Sequence, residues 1–250
     1  MVTLKKSLGQ HFLKDENICR KIVAVLKEQK FTQLLEVGPG GGALTKYLLE
    51  LEGVDLMTVE IDKDKVDHLL EVLPAIEGKI IHEDFLDMDL PFGGQFVIVG
   101  NFPYNISTQI LFKILDWKEK VQCVIGMFQK EVAQRIAAHE GNKVYGVTSV
   151  LVQAFFDVTY LFDVSEGSFT PPPKVKSGVI RLTPKTSPLQ IKSWIDFTLL
   201  VKTAFSQRRK TLRNACKQLF DPLVLTEPLF DKRAEQLSVS QFAELSYRMK

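Results

Sequence analysis

Three carboxylates, one amide and a run of glycines are the residues of this 250-residue chain whose types and spacing suit chemistry on a small polar molecule. Glu36 and the glycines lie in Leu35-Glu-Val-Gly-Pro-Gly-Gly-Gly-Ala-Leu-Thr45, Glu60 in Thr58-Val-Glu-Ile-Asp62, and Asp84 in His82-Glu-Asp-Phe-Leu86. The amide, Asn101, lies in Val99-Gly-Asn-Phe-Pro-Tyr-Asn-Ile-Ser-Thr108, directly behind the apolar run 96–99. An amide oxygen accepts hydrogen bonds, proline fixes the path of the backbone, and tyrosine adds a flat face with a polar edge. Together they suit a planar, nitrogen-bearing molecule. The plainer alternative is a strand-to-helix turn in which Asn105 or Ser107 caps the next helix.

Glycines between a strand and a helix let the backbone approach a ligand and leave N–H groups at the helix start. The segment 38–43 also satisfies G-x-G-x-x-A, the dinucleotide fingerprint, so a dehydrogenase is one reading. Glu36 argues the other way, because an acid behind a pyrophosphate repels it, whereas beside a sulfonium and an α-amino group it is favourable. Glu60, about twenty residues beyond the glycines, can accept both hydroxyls of a ribose. Asp84 can accept from an adenine amino group, with Ile61 and Phe85 flanking the base. Singly, each acid is equally a helix cap or a solvated strand end. Jointly, they fall at the carboxyl ends of successive strands, where open α/β proteins bind ligands.

The elements that place them alternate. A helix is expected at 15–29, strands at 34–37 and 56–59, and helices from 44 and from 63; further strands follow at 79–82, 96–99 and 121–127 with helices between. This is an α/β fold with a mostly parallel sheet. After a helix near 146–156, strands at 158–162 and 178–182 have no helix between them and should be antiparallel. The linker candidate is Thr183-Pro-Lys-Thr-Ser-Pro188, and beyond it Trp194, Phe197, Leu200 and Val201 show helical spacing. Two domains are expected, 1–184 and a small all-helical 189–250.

The acids, the glycine loop and Asn101-Phe-Pro-Tyr104 together resemble the S-adenosylmethionine-dependent amino-methyltransferases. With Gly9-Gln-His-Phe-Leu13, Phe169-Thr-Pro-Pro-Pro-Lys-Val-Lys-Ser177 and Phe205-Ser-Gln-Arg-Arg-Lys-Thr-Leu-Arg-Asn214, nearly the whole chain resembles the bacterial small-subunit ribosomal RNA adenine dimethyltransferases. The resemblance implies a Rossmann-like methyltransferase sheet and S-adenosyl-L-methionine as cofactor. It implies cofactor contacts from His11, Leu13, Glu36, Gly38, Gly40, Glu60, Ile61, Asp84, Phe85 and Asn101. It also implies that Asn101 and the carbonyl of Phe102 accept the target amino hydrogens, that Pro103 aims that carbonyl, and that Tyr104 and Phe169 cover the two faces of an adenine turned out of its stack. The family usually has leucine where this chain has Phe102. The implied activity is transfer of methyl groups to two adjacent adenines near the 3′ end of 16S ribosomal RNA, within the small subunit. Alternatives are the large-subunit enzyme of the antibiotic-resistance type, and an assembly factor for which methylation is secondary.

Between Phe197 and Phe220 lie Lys202, Arg208, Arg209, Lys210, Arg213 and Lys217 without an acid, which suits phosphate contacts to RNA; a solvated helix face is the competing reading. The overall formal charge of +2 decides nothing about partners. Cys19, Cys123 and Cys216 are odd in number and widely spaced, and His68, His82 and His139 lack ligand spacing, so neither disulfides nor a metal is expected. Lys5 and Lys6 are followed by no signal-peptide pattern, and no apolar run reaches membrane-spanning length. A cytoplasmic monomer is the expectation.

Overall fold

The structure, a computed structural model, describes residues 11–250. Lys5, Lys6, Gly9 and Gln10, which figure in the sequence reading, lie outside the described residues. In chain order the elements are β1 (Phe12–Leu13), α1 (Glu16–Lys27), β2 (Gln33–Val37), α2 (Thr45–Leu48), β3 (Asp55–Glu60), α3 (Lys63–Val72), β4 (Ile80–His82), β5 (Phe96–Asn101), α4 (Ser107–Asp116) and β6 (Val121–Gln129). There follow α5 (Lys130–Ala137), α6 (Val147–Gln153), β7 (Phe156–Val164), β8 (Phe169–Thr170), β9 (Ser177–Pro184), α7 (Trp194–Ser206), α8 (Leu212–Ala215) and α9 (Val239–Ser246).

Seven strands form one sheet in the order β4-β3-β2-β5-β6-β9-β7. The pairs β2·β3, β3·β4, β2·β5 and β5·β6 are parallel, and β9 runs antiparallel to β6. Leu34, Leu35, Val97, Ile98, Val99 and Val124 have no exposed surface, which is why these strands read as unbroken apolar runs rather than alternating ones. Order reverses between β2 and β5, so a crevice opens at the carboxyl ends of β2, β3 and β5. No helix joins β4 to β5, contrary to the expectation. The segment 83–95 is a turn and irregular chain, since Asp87, Asp89, Pro91, Gly93 and Gly94 interrupt any helical repeat.

A second, two-stranded sheet pairs β1 with β8 antiparallel, Phe12 opposite Thr170 and Leu13 opposite Phe169. The Lys14 N–H continues it by donating to Ser168 O at 2.9 Å. Asp15 caps α1 by accepting from the Asn17 N–H, and its other oxygen accepts from the Ser168 hydroxyl at 2.9 Å. Two segments more than 150 residues apart in sequence are thereby one structure.

The described chain groups into two compact units, 11–133 with 159–183, and 134–158 with 184–250. Residues 134–158 were expected with the sheet. They cluster instead with the C-terminal helices, because Arg208 donates to the carbonyls of Lys143 and Tyr145 and the rings of Tyr145 and Phe155 meet Phe205 and Trp194. Within that unit Phe197, Leu200 and Val201 on α7 are fully buried, and Ser238 and Gln241 form a capping box on α9. Much of 216–238 consists of short 3-10 turns rather than longer helices.

Gly100 and Gly126 are register partners on β5 and β6, and together they form a notch for the ring of Phe102. A methyl group at Gly126 would lie 2.5 Å from Phe102 and 2.6 Å from Phe128, and one at Gly100 would lie 2.5 Å from the Val37 carbonyl. Neither fits. Gly126→Ala should therefore lower stability by about 1–3 kcal/mol in urea unfolding, and Phe102→Leu in the same chain should recover the part due to the Phe102 ring but not the part due to Phe128.

Candidate functional site

The crevice holds a cavity of about 210 Å³ whose described lining comes from residues 11–13 and from the loops after β2, β3, β4 and β5. Four acids face it, Glu36, Glu60, Glu83 and Asp84, together with Lys65 and His11. Glu36 lies within β2, opposite Thr58 and Val99, and is buried with its Oε2 lacking a hydrogen-bond partner among the described residues. Burial first, and the charge of Glu60 second, outweigh the Thr45 hydroxyl beside it and push its carboxyl up to about 8.

Glu60 ends β3. Its Oε1 accepts from the Asp62 N–H at 3.1 Å and its Oε2 lies 3.7 Å from Lys65 Nζ. Asp62, not Glu60, caps α3. Asp84 is half-buried and accepts from the Leu86 N–H at 2.9 Å. Phe85 is buried edge-on against Trp117, and Ile61 is about half exposed at 49 % beside the same cavity. The glycine loop approaches closely at Gly40, where φ is +58° and an added Cβ would sit 3.1 Å from the Phe12 ring. Only glycine meets both conditions.

At the end of β5 the Asn101 Nδ2 donates to the His11 carbonyl at 2.9 Å. That bond commits the NH₂ side of the amide and leaves Oδ1 as an acceptor. His11 is held in turn, its Nδ1 2.9 Å from Pro171 O and its ring 5.6 Å from that of Tyr104. The Tyr104 hydroxyl shares a 2.5 Å hydrogen bond with Ser177, and burial raises its ionisation above the ordinary phenol value. Neither Asn105 nor Ser107 caps α4: Ile106 occupies the cap without a side-chain bond, and the Ser107 hydroxyl donates back to Tyr104 O. The plain capping alternative therefore does not account for this stretch.

All the expected cofactor and base residues from His11 to Tyr104 line this cavity, and Phe169 does not. Phe169 has no exposed surface and belongs to the core cluster that also holds Leu13, Cys19, Ile22 and Met127. Its ring anchors the β1·β8 pair and presents no face to a base. The sequence reading also missed Lys65 and Glu83. Lys65 had a signal: it follows Asp62 by three and precedes the fully buried Leu69 by four, which places it on the inner face of α3.

The basic run divides by partner. The Arg213 guanidinium pairs with Asp231 at 2.9 Å and donates to Leu225 O at 2.8 Å, and Arg208 holds the 143–145 segment through bonds of 2.8 Å. Both spend part of the guanidinium within their own unit, and each has further N–H donors beyond those bonds. Lys202, Arg208, Arg209, Lys210 and Lys217 are exposed, and Arg213 is half-buried.

Comparison with known proteins gives one consistent result. Residues 1–249 match the family model described as ribosomal RNA adenine dimethylase. A ribosomal RNA small subunit methyltransferase A of Parabacteroides distasonis is 52% identical, over 98% of this chain and 94% of its own. One of Cytophaga hutchinsonii is 51% identical, over 98% and 96%. Among solved structures, a dimethyladenosine transferase from Plasmodium falciparum superposes with a TM-score of 0.78 at 27% identity, covering 94% of this chain and 96% of that one. The 23S rRNA methyltransferase ErmE shares the fold, with a TM-score of 0.67 at 22% identity over 93% and 99%.

Glu36 also makes the unliganded protein sensitive to pH. Its carboxyl is raised in the folded state from 4.5 to about 8, so its contribution to stability is complete below pH 4.5 and is lost as pH rises through 8. Glu36→Gln should remove this dependence, gaining on the parent protein between pH 5 and pH 8 by at most about 5 kcal/mol. Denaturant melts at the two pH values check it; parallel losses in both proteins would assign the effect elsewhere.

Proposed function

Because the chain belongs to the ribosomal RNA adenine dimethylase family, we propose that it methylates the N6 amino groups of two adjacent adenines in a loop near the 3′ end of 16S ribosomal RNA, within the small subunit. The methyl donor is S-adenosylmethionine. The observation that carries the reading is the pairing of Glu36, a buried acid with an unpartnered oxygen, with Asn101, an amide oriented by His11, around one cavity. A cationic cofactor suits that acid-rich lining, and the backbone at Gly38, where nothing lies within 4 Å of an added Cβ, leaves room for it.

Each residue then has a task. Glu36 faces the positively charged methionine portion, Glu60 the ribose hydroxyls, and Asp84 the adenine amino group between Ile61 and Phe85. His11, Leu13 and Gly38 close the remaining sides. An exocyclic adenine nitrogen is a weak nucleophile because its lone pair is delocalised into the ring. The Asn101 Oδ1 and the Phe102 carbonyl can accept its two hydrogens and turn the lone pair outward. Among the described residues no N–H donates to that carbonyl, and Pro103 sets its direction. Tyr104, held by Ser177 and His11, offers the stacking face. Alignment is the main catalytic resource, and the proton is lost after transfer, when the nitrogen has become acidic.

Exposed Lys202, Arg209, Lys210 and Lys217 supply phosphate contacts that position the RNA without reading its sequence. A cytoplasmic location follows from a ribosomal substrate. A single copy suffices, since the described cavity lining comes from one compact unit. Small-subunit specificity is supported by relatives at about half identity that bear that name.

The direct test is transfer of labelled methyl groups from S-adenosylmethionine to purified small subunits, with the modified nucleotides mapped. In single turnovers Asn101→Ala should be slower by about 10² to 10³ while RNA affinity changes little. A wild-type rate would reduce the amide to a structural residue. Separately, charge reversal of Arg209, Lys210 and Lys217 should weaken RNA binding and flatten its salt dependence while sparing cofactor binding. Equal salt slopes would identify the cluster as a solvated face.

A further inference from the structure

Lys65 is a buried cation that the mechanism above leaves without a task. It is 4 % exposed, although it sits in the first turn of α3, where a lysine ordinarily reaches water. Burying an ammonium is unfavourable unless an opposite charge and hydrogen-bond acceptors meet it. Its Nζ lies 3.7 Å from Glu60 Oε2 and 5.3 Å from the centre of the Phe12 ring, and the side chain lines the cavity. The Phe12 ring in turn occupies the space that a Cβ on Gly40 would need. Lys65 thus touches the ribose acid and the residue that covers the glycine loop.

An inventory of acceptor sites states what this does. A carboxylate offers about four lone-pair directions. On Glu60 one is taken by the Asp62 N–H and a second faces Lys65, one on each oxygen. The carboxylate therefore has a hydrogen bond on one oxygen and an ion pair at 3.7 Å on the other, and about two acceptor directions are left, the number that a cis-diol requires. Without the lysine, one oxygen loses its charged neighbour in a buried setting and the group is free to turn, which removes an acceptor from the diol.

We infer that Lys65 is a positioning residue for cofactor recognition: it holds the Glu60 carboxylate in the orientation that accepts both ribose hydroxyls. The inference rests on the cofactor reading given above. It assigns Lys65 to ribose selectivity, whereas a purely structural ion pair would affect every ligand of the cavity alike.

The experiment compares two probes by calorimetry, S-adenosylhomocysteine and its 2′-deoxyribose counterpart. In the parent protein, loss of one hydroxyl bonded to a charged acceptor should cost about tenfold or more in affinity. In Lys65→Met the affinity for S-adenosylhomocysteine should fall by about tenfold, and the ratio between the two probes should shrink to about twofold. An unchanged ratio would overturn the inference, however large the loss of affinity. Lys65→Gln, which keeps a polar group in the slot, is read in the same way should the methionine variant fail to fold. Absence of S-adenosylhomocysteine binding by the parent protein would instead count against the cofactor reading itself.

Discussion

The geometry of the cavity depends on a two-residue strand pair. β1 and β8 are each only two residues long, yet they bring His11 and Phe12 to the carboxyl ends of the main sheet. So short a ladder is not stable by its own hydrogen bonds. What holds it is the burial of Leu13 and Phe169, opposite one another in the pair and both within the main core cluster, together with the Asp15–Ser168 hydrogen bond. Burying one large apolar side chain stabilises by roughly 1.5–3 kcal/mol, enough to fix a segment of this length. From that anchor follow the Asn101 amide orientation, through the His11 carbonyl, and the setting of Tyr104, through the His11 ring and Ser177. A phenylalanine read as a stacking surface thus serves the site from behind, by holding the segment that aligns the amide.

Two buried carboxylates less than thirty residues apart in sequence are treated in opposite ways. Glu60 has a backbone donor on one oxygen and a lysine near the other, so each oxygen has a partner of its own. Glu36 has an unpartnered oxygen, and burial pushes its carboxyl up to about 8, so near neutral pH it holds a proton in the unliganded protein. A cation placed beside it reverses that preference, because an opposite charge at short range favours the ionised form. In the proposed reading, cofactor binding is therefore coupled to release of a proton at Glu36, whereas Glu60 acts as a fixed acceptor. The more demanding of the two acids is the one that recognises charge, and the settled one recognises hydroxyls.

The parallel strands were legible because burial on both faces writes each of them as a run of aliphatic residues, and the acids were legible because they follow those runs directly. Other features depend on contacts distant in sequence. Nothing near Phe169 reveals that Leu13 lies opposite it, and nothing near Arg208 or Arg213 reveals the carbonyls of Lys143, Tyr145 and Leu225 that take some of their donors. A run of one charge sign records which residues can meet phosphate. Which of them are already committed is decided by the tertiary fold. The helix expected between β4 and β5 failed for a local reason, since the proline, the glycines and the spaced aspartates of 83–95 were visible in the sequence.

In the proposed reading, Phe102 shows how a reacting site can vary its side chains without moving its chemistry. The chain presents a backbone carbonyl at this position, so the side chain is directed elsewhere, and its ring lies edge-on to Phe128 at 5.1 Å over the notch formed by Gly100 and Gly126. The Phe102 N–H, bonded to Met127 O at 3.1 Å, ties the peptide to β6. The carbonyl's direction is thus set by three constraints on one residue: a strand hydrogen bond on its N–H, a packed ring on its Cα, and a proline on its C-terminal side. Replacing the family's usual leucine by phenylalanine changes only the middle one, and two facing glycines absorb the larger ring. On that reading the position needs a buried apolar anchor that fits the notch, and the size of that anchor is limited by strands β5 and β6 rather than by the substrate.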